Sequence, residues 1–402
     1  MSTSSIVRRY YAYSMTTSIG FYIPVGVVFL AEVRNFSLDA IGVIMAAYLV
    51  GMLVGEIPTG YIGDRLGRRF SLAVGNGLTA VSLLAWGVLQ TPIQFIVLNI
   101  VWATGTTFRS GTADAWLYEL LENRDRAAEF ARISGRARSV RLLVSAGGAA
   151  SAGALVTIGW SLPFYVNAGI AALGLPILAS LPAVNAGTDE IFTVRDAVET
   201  LQIQARRPEL RWFVAYTALF YGLFQVALAF EQLALREVGV SLTGLGVLYA
   251  GFKFVSAGAA STAGWLQDQL GAKGVFRLYA PMIGIAFAGV AIQPVLLLPV
   301  LFLNRGLNAL TRPVRNQYIN DRFSGTGRAT VLSGASMVLS LFAAGADILG
   351  GVVADIVGPV QMLVGAGIAA AGTAGILWLA VSPVRSVDIS LNDRESSVKN
   401  LD

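Results

Sequence analysis

Asn304, Asn308, Arg312 and Arg315 sit in one largely apolar stretch at i, i+4, i+8 and i+11, a spacing that sets them along one face of a helix. Arg305 lies beside that face. Amides and guanidiniums in such a row suit a helix that lines an aqueous cavity, and the cations suit an anionic ligand. A second group occupies an earlier stretch: Asn99, Thr106, Arg109 and Asp114, followed by Arg138 and Arg141 about one turn apart. These six form either a ligand site or an internal ion-pair network. Charges nearest the helix ends, including Glu119, Arg132 and Arg312, can instead reach the interface along their own stems.

Four acids stand inside apolar segments: Glu56, Asp114, Glu231 and Asp347. A charge within a membrane span costs several kcal/mol unless it is paired or wetted, which makes each a functional candidate. Glu56, in the run Gly55-Glu56-Ile57-Pro58-Thr59-Gly60, is the first choice for a proton carrier, because a carboxyl out of water can load and release a proton. A structural hydrogen bond to another helix is the competing reading. Lys253 is a counter-ion for one of these acids or for a ligand.

Other chemistry is missing. The chain has no cysteine and no histidine, so disulfides, thiolate metal sites, thiol nucleophiles and the commonest general base are excluded. No cofactor or metal is expected. An enzyme is disfavoured, because no phosphate-cradling glycine loop follows a strand and no soluble catalytic domain is visible.

The elements that must position these residues are membrane helices. Hydrophobic residues make up 55% of the chain and charged residues 13%, against roughly 25% charged in a soluble domain, so lipid must face much of the surface. Charge-free runs from Phe70 to Leu89, Leu162 to Val184 and Pro359 to Pro383 each reach the ~20 residues a spanning helix needs. Arg8 and Arg9 before an apolar run resemble a secretory signal, but the run is too long and no small-residue cleavage site follows, so it reads as the first helix. Apolar windows place helices near 10–32, 40–62, 70–89, 94–121, 127–157 and 162–184, and then near 209–235, 243–266, 274–292, 294–319, 328–355 and 359–382.

With both termini cytoplasmic, the loop cations fall on the inner side except Arg34 and Arg236, as positive-inside insertion requires. The net charge of +5 therefore follows topology and does not imply nucleic acid. Residues 1–184 and 209–385 form the two six-helix units. The polar stretch 185–208 is a cytoplasmic linker with a short amphipathic helix, and 386–402 is a polar cytoplasmic tail.

The halves repeat. At one constant offset, Ser37 falls on Ser241, Gly42 on Gly246, Gly60 on Gly264, Asp64 on Asp268, Gly67 on Gly271 and Arg69 on Lys273. Duplicated halves mark transporters that rock one bundle against the other around a midplane site. Small residues at Gly147, Gly148 and Gly153, and at Gly345, Gly350 and Gly351, allow close helix packing and sliding.

The segment Gly60, Tyr61, Ile62, Gly63, Asp64, Arg65, Leu66, Gly67, Arg68, Arg69 resembles the signature loop between helices 2 and 3 of the major facilitator superfamily. A degenerate echo at Gly264, Asp268, Gly271 and Lys273 stands between helices 8 and 9, where that family carries its second copy. The resemblance covers nearly the whole chain. It implies an all-α integral membrane fold of twelve helices in two pseudo-symmetric bundles, with the loop acting as a latch between access states. The glycine-proline signature that antiporters of this family often carry in helix 5 is absent, which argues against that assignment.

The expectation is a monomeric secondary transporter in the plasma membrane, surrounded by lipid. It carries a small organic molecule by alternating access with protons as the coupling ion, and Glu56 or Asp114 bears the proton during export. The alternatives are proton-driven uptake or uniport of a metabolite anion held by Arg109, Arg312 or Arg315, and a membrane sensor that transports nothing.

Overall fold

The computed structural model describes residues 3–183, 208–322 and 328–384. The linker expected at 185–208, apart from its last residue, and the tail expected at 386–402 lie outside the described residues.

Helices account for nearly all of the fold, and no strand occurs among the described residues. They are α1 (Thr3–Thr16), α2 (Gly26–Val28), α3 (Leu38–Leu66), α4 (Arg68–Trp86), α5 (Pro92–Arg109), α6 (Thr112–Glu122), α7 (Phe130–Ile158) and α8 (Leu162–Ala179). After the linker come α9 (Pro208–Glu237), α10 (Leu242–Ser261), α11 (Ala263–Ile292), α12 (Leu297–Asn320), α13 (Arg328–Val357) and α14 (Pro359–Val381). Nine helices among the described residues are long and apolar enough to cross a bilayer. Leu379, Ile292 and Ile158 are large apolar side chains left on the outside, a surface suited to hydrocarbon.

Three expected spans depart from that pattern. The helix expected at 10–32 is split: α1 ends at Thr16, the chain turns through residues 17–25, and helix resumes as α2 and a π turn, Phe29–Val33. Pro24 lies within the break, where it has no N–H to donate and disfavours helical conformation in the residue before it. The helix expected at 94–121 is also split, into α5 and α6, where Gly111 takes φ +71°. The third span, α4, is continuous but buries Asn76, Thr79 and Ser82. The range given for α11 holds two helices that meet at a kink, where Gly271 leaves helical conformation (φ 63°, ψ 167°). Gly67, its repeat partner, separates α3 from α4 with φ +90°.

In the first half α3 packs on α5, and α4 packs on α5 and α8; in the second, α9 packs on α13 and α14, α10 on α12, and α11 on α12 and α14. Two seams join the halves, α3 with α13 and α7 with α10. The repeat is visible at both. A side chain on Gly42 would strike the backbone of Asp347 and Gly351, and one on Gly246 would strike the backbone of Ala149. Ser37 and Ser241 are the N-cap residues of α3 and α10, and the Ser241 hydroxyl accepts from the Gly244 amide at 3.0 Å.

Both seams close at the end of the bundle opposite the one where α1 begins, called here the far end. Further cross-half contacts gather there: Asp355 accepts from the Leu38 amide at 2.9 Å, and Arg236 pairs with Glu32 at 3.2 Å.

Candidate functional site

A cavity of about 270 Å³ lies between the halves. The split first span contributes Tyr22 and Ile23, α3 contributes Tyr48, α4 contributes Trp86, and α5 contributes Asn99 and Trp102. The rings form one connected wall, with centroid separations of 5.1 Å for Tyr22 and Trp102, 5.7 Å for Tyr48 and Trp102, and 6.3 Å for Trp86 and Trp102. Phe164 backs this wall, stacked on Trp86 at 4.9 Å. The second half faces it with Gln225 and Gln232 from α9, Tyr249 from α10 and Asp347 from α13.

Polar atoms on cavity-lining residues are left over. Asp347 is 3% exposed, and its Oδ1 has no hydrogen-bond partner; neither has the indole Nε1 of buried Trp86. Buried polar atoms are nearly always satisfied, so unpaired atoms on residues that line one cavity mark it as a candidate site. No cation pairs with Asp347 among the described residues.

A second, polar cavity of about 490 Å³ lies toward the end where α1 begins. Arg109, Arg138 and Arg141 line it from the first half and Arg312 from the second, with Asp114 as its acid. Asp114 is committed: Arg138 donates to it at 2.5 Å and the Ser134 hydroxyl at 3.1 Å. Arg109 reaches the Asn76 carbonyl at 3.5 Å. Arg141 and Arg312 have no ion-pair partner among the described residues. The Tyr48 hydroxyl of the central cavity donates to Thr106 of this vestibule at 3.3 Å, so the two spaces adjoin.

The other sequence candidates are dispersed. Glu56 is exposed on the surface of α3 and lines neither cavity. Glu231 and Arg305, considered separately in the sequence, form a buried ion pair between α9 and α12; the guanidinium also lies over Phe252 at 5.0 Å. That pairing turns Arg305 away from the row on α12. Asn308, Arg312 and Arg315 do converge, on a small cleft with Tyr221 and Tyr279, whereas Asn304 is buried outside it. Lys253 is half-buried in neither cavity.

In the signature loop, Arg65 lies over the Tyr61 ring at 4.5 Å, Arg68 pairs with Glu119 at 3.3 Å, and Arg69 donates to the Leu181 carbonyl at 2.9 Å. These contacts all stay in the first half. The Asp64 side chain lies outside the described residues. Gly60 and Gly264 have open space around them, and Asp268 and Lys273 are exposed.

Sequence reasoning passed over Tyr22, Tyr48, Trp86, Trp102, Gln225, Gln232 and Tyr249. The available signal was depth: tyrosine and tryptophan in spans favour the membrane interfaces, so several of them near mid-span needed a reason.

The sequence model of the Major Facilitator Superfamily matches residues 11–334. The 4-hydroxybenzoate transporter PcaK of Pseudomonas aeruginosa is 25% identical over 358 residues, covering 79% of this chain and 78% of that protein. An uncharacterized MFS-type transporter of Methanocaldococcus jannaschii is 23% identical over 99 residues, so the match spans only 25% of that protein and 25% of this chain. Among solved structures, the nucleoside transporter NupG aligns with a TM-score of 0.75 at 13% identity, covering 94% of this chain and 97% of that one. The inward-open xylose transporter XylE from E. coli aligns with a TM-score of 0.68 at 15% identity, covering 98% and 99%. At such identities the structural matches speak for the fold alone.

Proposed function

Because the chain belongs to the Major Facilitator Superfamily and is a transporter, we propose that it carries a small aromatic organic anion together with a proton across the plasma membrane. The observation that carries this reading is the buried, unpartnered carboxyl of Asp347 in a cavity walled by Tyr22, Tyr48, Trp86 and Trp102. A wall of aromatic rings suits an aromatic solute, which can meet it edge to face or stacked. Arg141 and Arg312 raise the local concentration of anions at the entrance. Likeness to a 4-hydroxybenzoate transporter over most of both chains supports the same class.

The coupling follows from charge. An anionic solute and an ionised Asp347 repel each other in one small, largely apolar cavity, where Coulomb energies are larger than in water. The anion therefore enters when Asp347 is protonated, and the two move in the same direction. That makes symport, and uptake under an inward proton gradient. The units 1–184 and 209–385 rock about the cavity with both termini in the cytosol, so the form described here, closed at the far end, faces inward. Asp347 replaces Glu56 as proton carrier in this reading.

The same carboxylate favours a second reading. A cationic solute would compete with the proton for Asp347, which gives exchange and export, the direction expected from the sequence.

Reconstituted protein should accumulate labelled 4-hydroxybenzoate or a close aromatic carboxylate under an inward proton gradient. Asp347→Asn should abolish accumulation while leaving downhill exchange of the solute intact. Accumulation in Asp347→Asn equal to that of the parent would remove the proton site.

A further inference from the structure

The break in the first span leaves backbone groups without helical partners at membrane depth, and such groups must be satisfied by protein or by water in a cavity. Part of the break is served from within the first half, where Asn167 donates to the Ser18 carbonyl at 3.0 Å. Three further contacts come from the other half, all from one side chain. Gln232 of α9 donates through Nε2 to the Ile23 carbonyl at 2.7 Å. Its Oε1 accepts from the amides of Val27 at 3.0 Å and Val28 at 3.3 Å. The amide is used at both ends, and the partners fix its orientation, because a flipped group would set its NH₂ against two N–H donors.

Gln232 is 4% exposed and is held in place by its neighbour, since Glu231 is tied to Arg305 within the second half. It also borders the central cavity beside Ile23 and Val27. These three bonds cross between units that must separate at the far end for that side to open. They cannot survive the separation.

We propose that Gln232 is the far-end lock of the carrier: its side-chain amide clasps the broken first span at Ile23 and at the start of α2, and opening to the far side begins when that clasp is exchanged for water or solute. The stretch from Ile23 to Val28 then presents one carbonyl and two amides to the cavity only in the far-open state. The lock makes no use of solute charge, so it stands or falls separately from the symport reading.

The absence of cysteine in the native chain allows spin labels at Gln90→Cys and Gln293→Cys, both exposed in far-end loops of opposite halves. The parent should show a dominant short inter-label distance in detergent or nanodiscs. In Gln232→Leu, which keeps bulk but neither hydrogen-bonding end, the long-distance population should rise by about tenfold, the effect of roughly one net hydrogen bond or more. Gln232→Glu keeps the acceptor for Val27 and Val28 but loses the donor to Ile23, and should fall between the two. Distances that match the parent in both variants would overturn the lock. Should the leucine variant not fold, amide exchange in the chain with native Gln232 gives a second arm. Exchange at Val27 and Val28 should quicken when the far end is wedged open by Gly42→Leu, and exchange that stays as slow as in the parent while the distance lengthens would overturn the proposal equally.

Discussion

The buried pair of Glu231 and Arg305 shows how far a single residue's role depends on its neighbours. Each was legible in the sequence as a charge inside a span, and each was a candidate for the transport path. Nothing in the sequence shows that α9 and α12 bring them together, with Phe252 beneath the guanidinium. Once paired they neutralise one another, and among the described residues Asp347 is a buried acid left without a partner. Removing one member of a buried pair strands the other charge, at a cost of about 3–5 kcal/mol, whereas replacing both by apolar groups is close to neutral. Glu231→Leu should therefore lower the thermal unfolding midpoint sharply, and Glu231→Leu with Arg305→Leu should recover most of the loss. A single variant as stable as the parent would mean that the pair is not formed.

At the scale of elements, the apolar windows located the spans well, because hydropathy depends on composition that a window can sum. They could not register a break. Residues 17–25 are nearly as apolar as a helix would be, so the first span read as continuous despite Pro24 and Gly20. Those two residues carried what signal there was: Pro24 has no N–H to donate, and a side chain on Gly20 would strike the backbone of Ser145. The aromatic wall was illegible for another reason. Tyr22, Tyr48, Trp86 and Trp102 come from four separate spans, and only their packing gathers them. The repeat, by contrast, was legible down to single residues, since Gly42 and Gly246 fill matching places on the two seams. Gly42→Leu and Gly246→Leu should thus act alike, each wedging a seam and lengthening the distance between labels at 90 and 293. If either substitution leaves that distance unchanged, the seams are not equivalent and the pseudo-symmetric hinge is lost.

At the scale of the whole molecule, the polar vestibule, the aromatic cavity and the closed far end form a sequence along one path. In the proposed cycle guanidiniums gather an anion, Tyr48 and Thr106 mark the step between the spaces, and Asp347 lies beyond it. The sequence indicated the cations of this path and its internal symmetry, but not their order, which depends on how the halves face each other. The most direct measurement follows protons and solute together. Proteoliposomes loaded with a pH-sensitive dye, with no gradient imposed, are mixed with an external aromatic carboxylate, and passive entry of the acid is subtracted using protein-free vesicles. Symport through Asp347 requires the lumen to acidify as solute enters, in the parent and not in Asp347→Asn. A lumen that turns alkaline, or one whose pH ignores the solute while flux continues, would contradict the account.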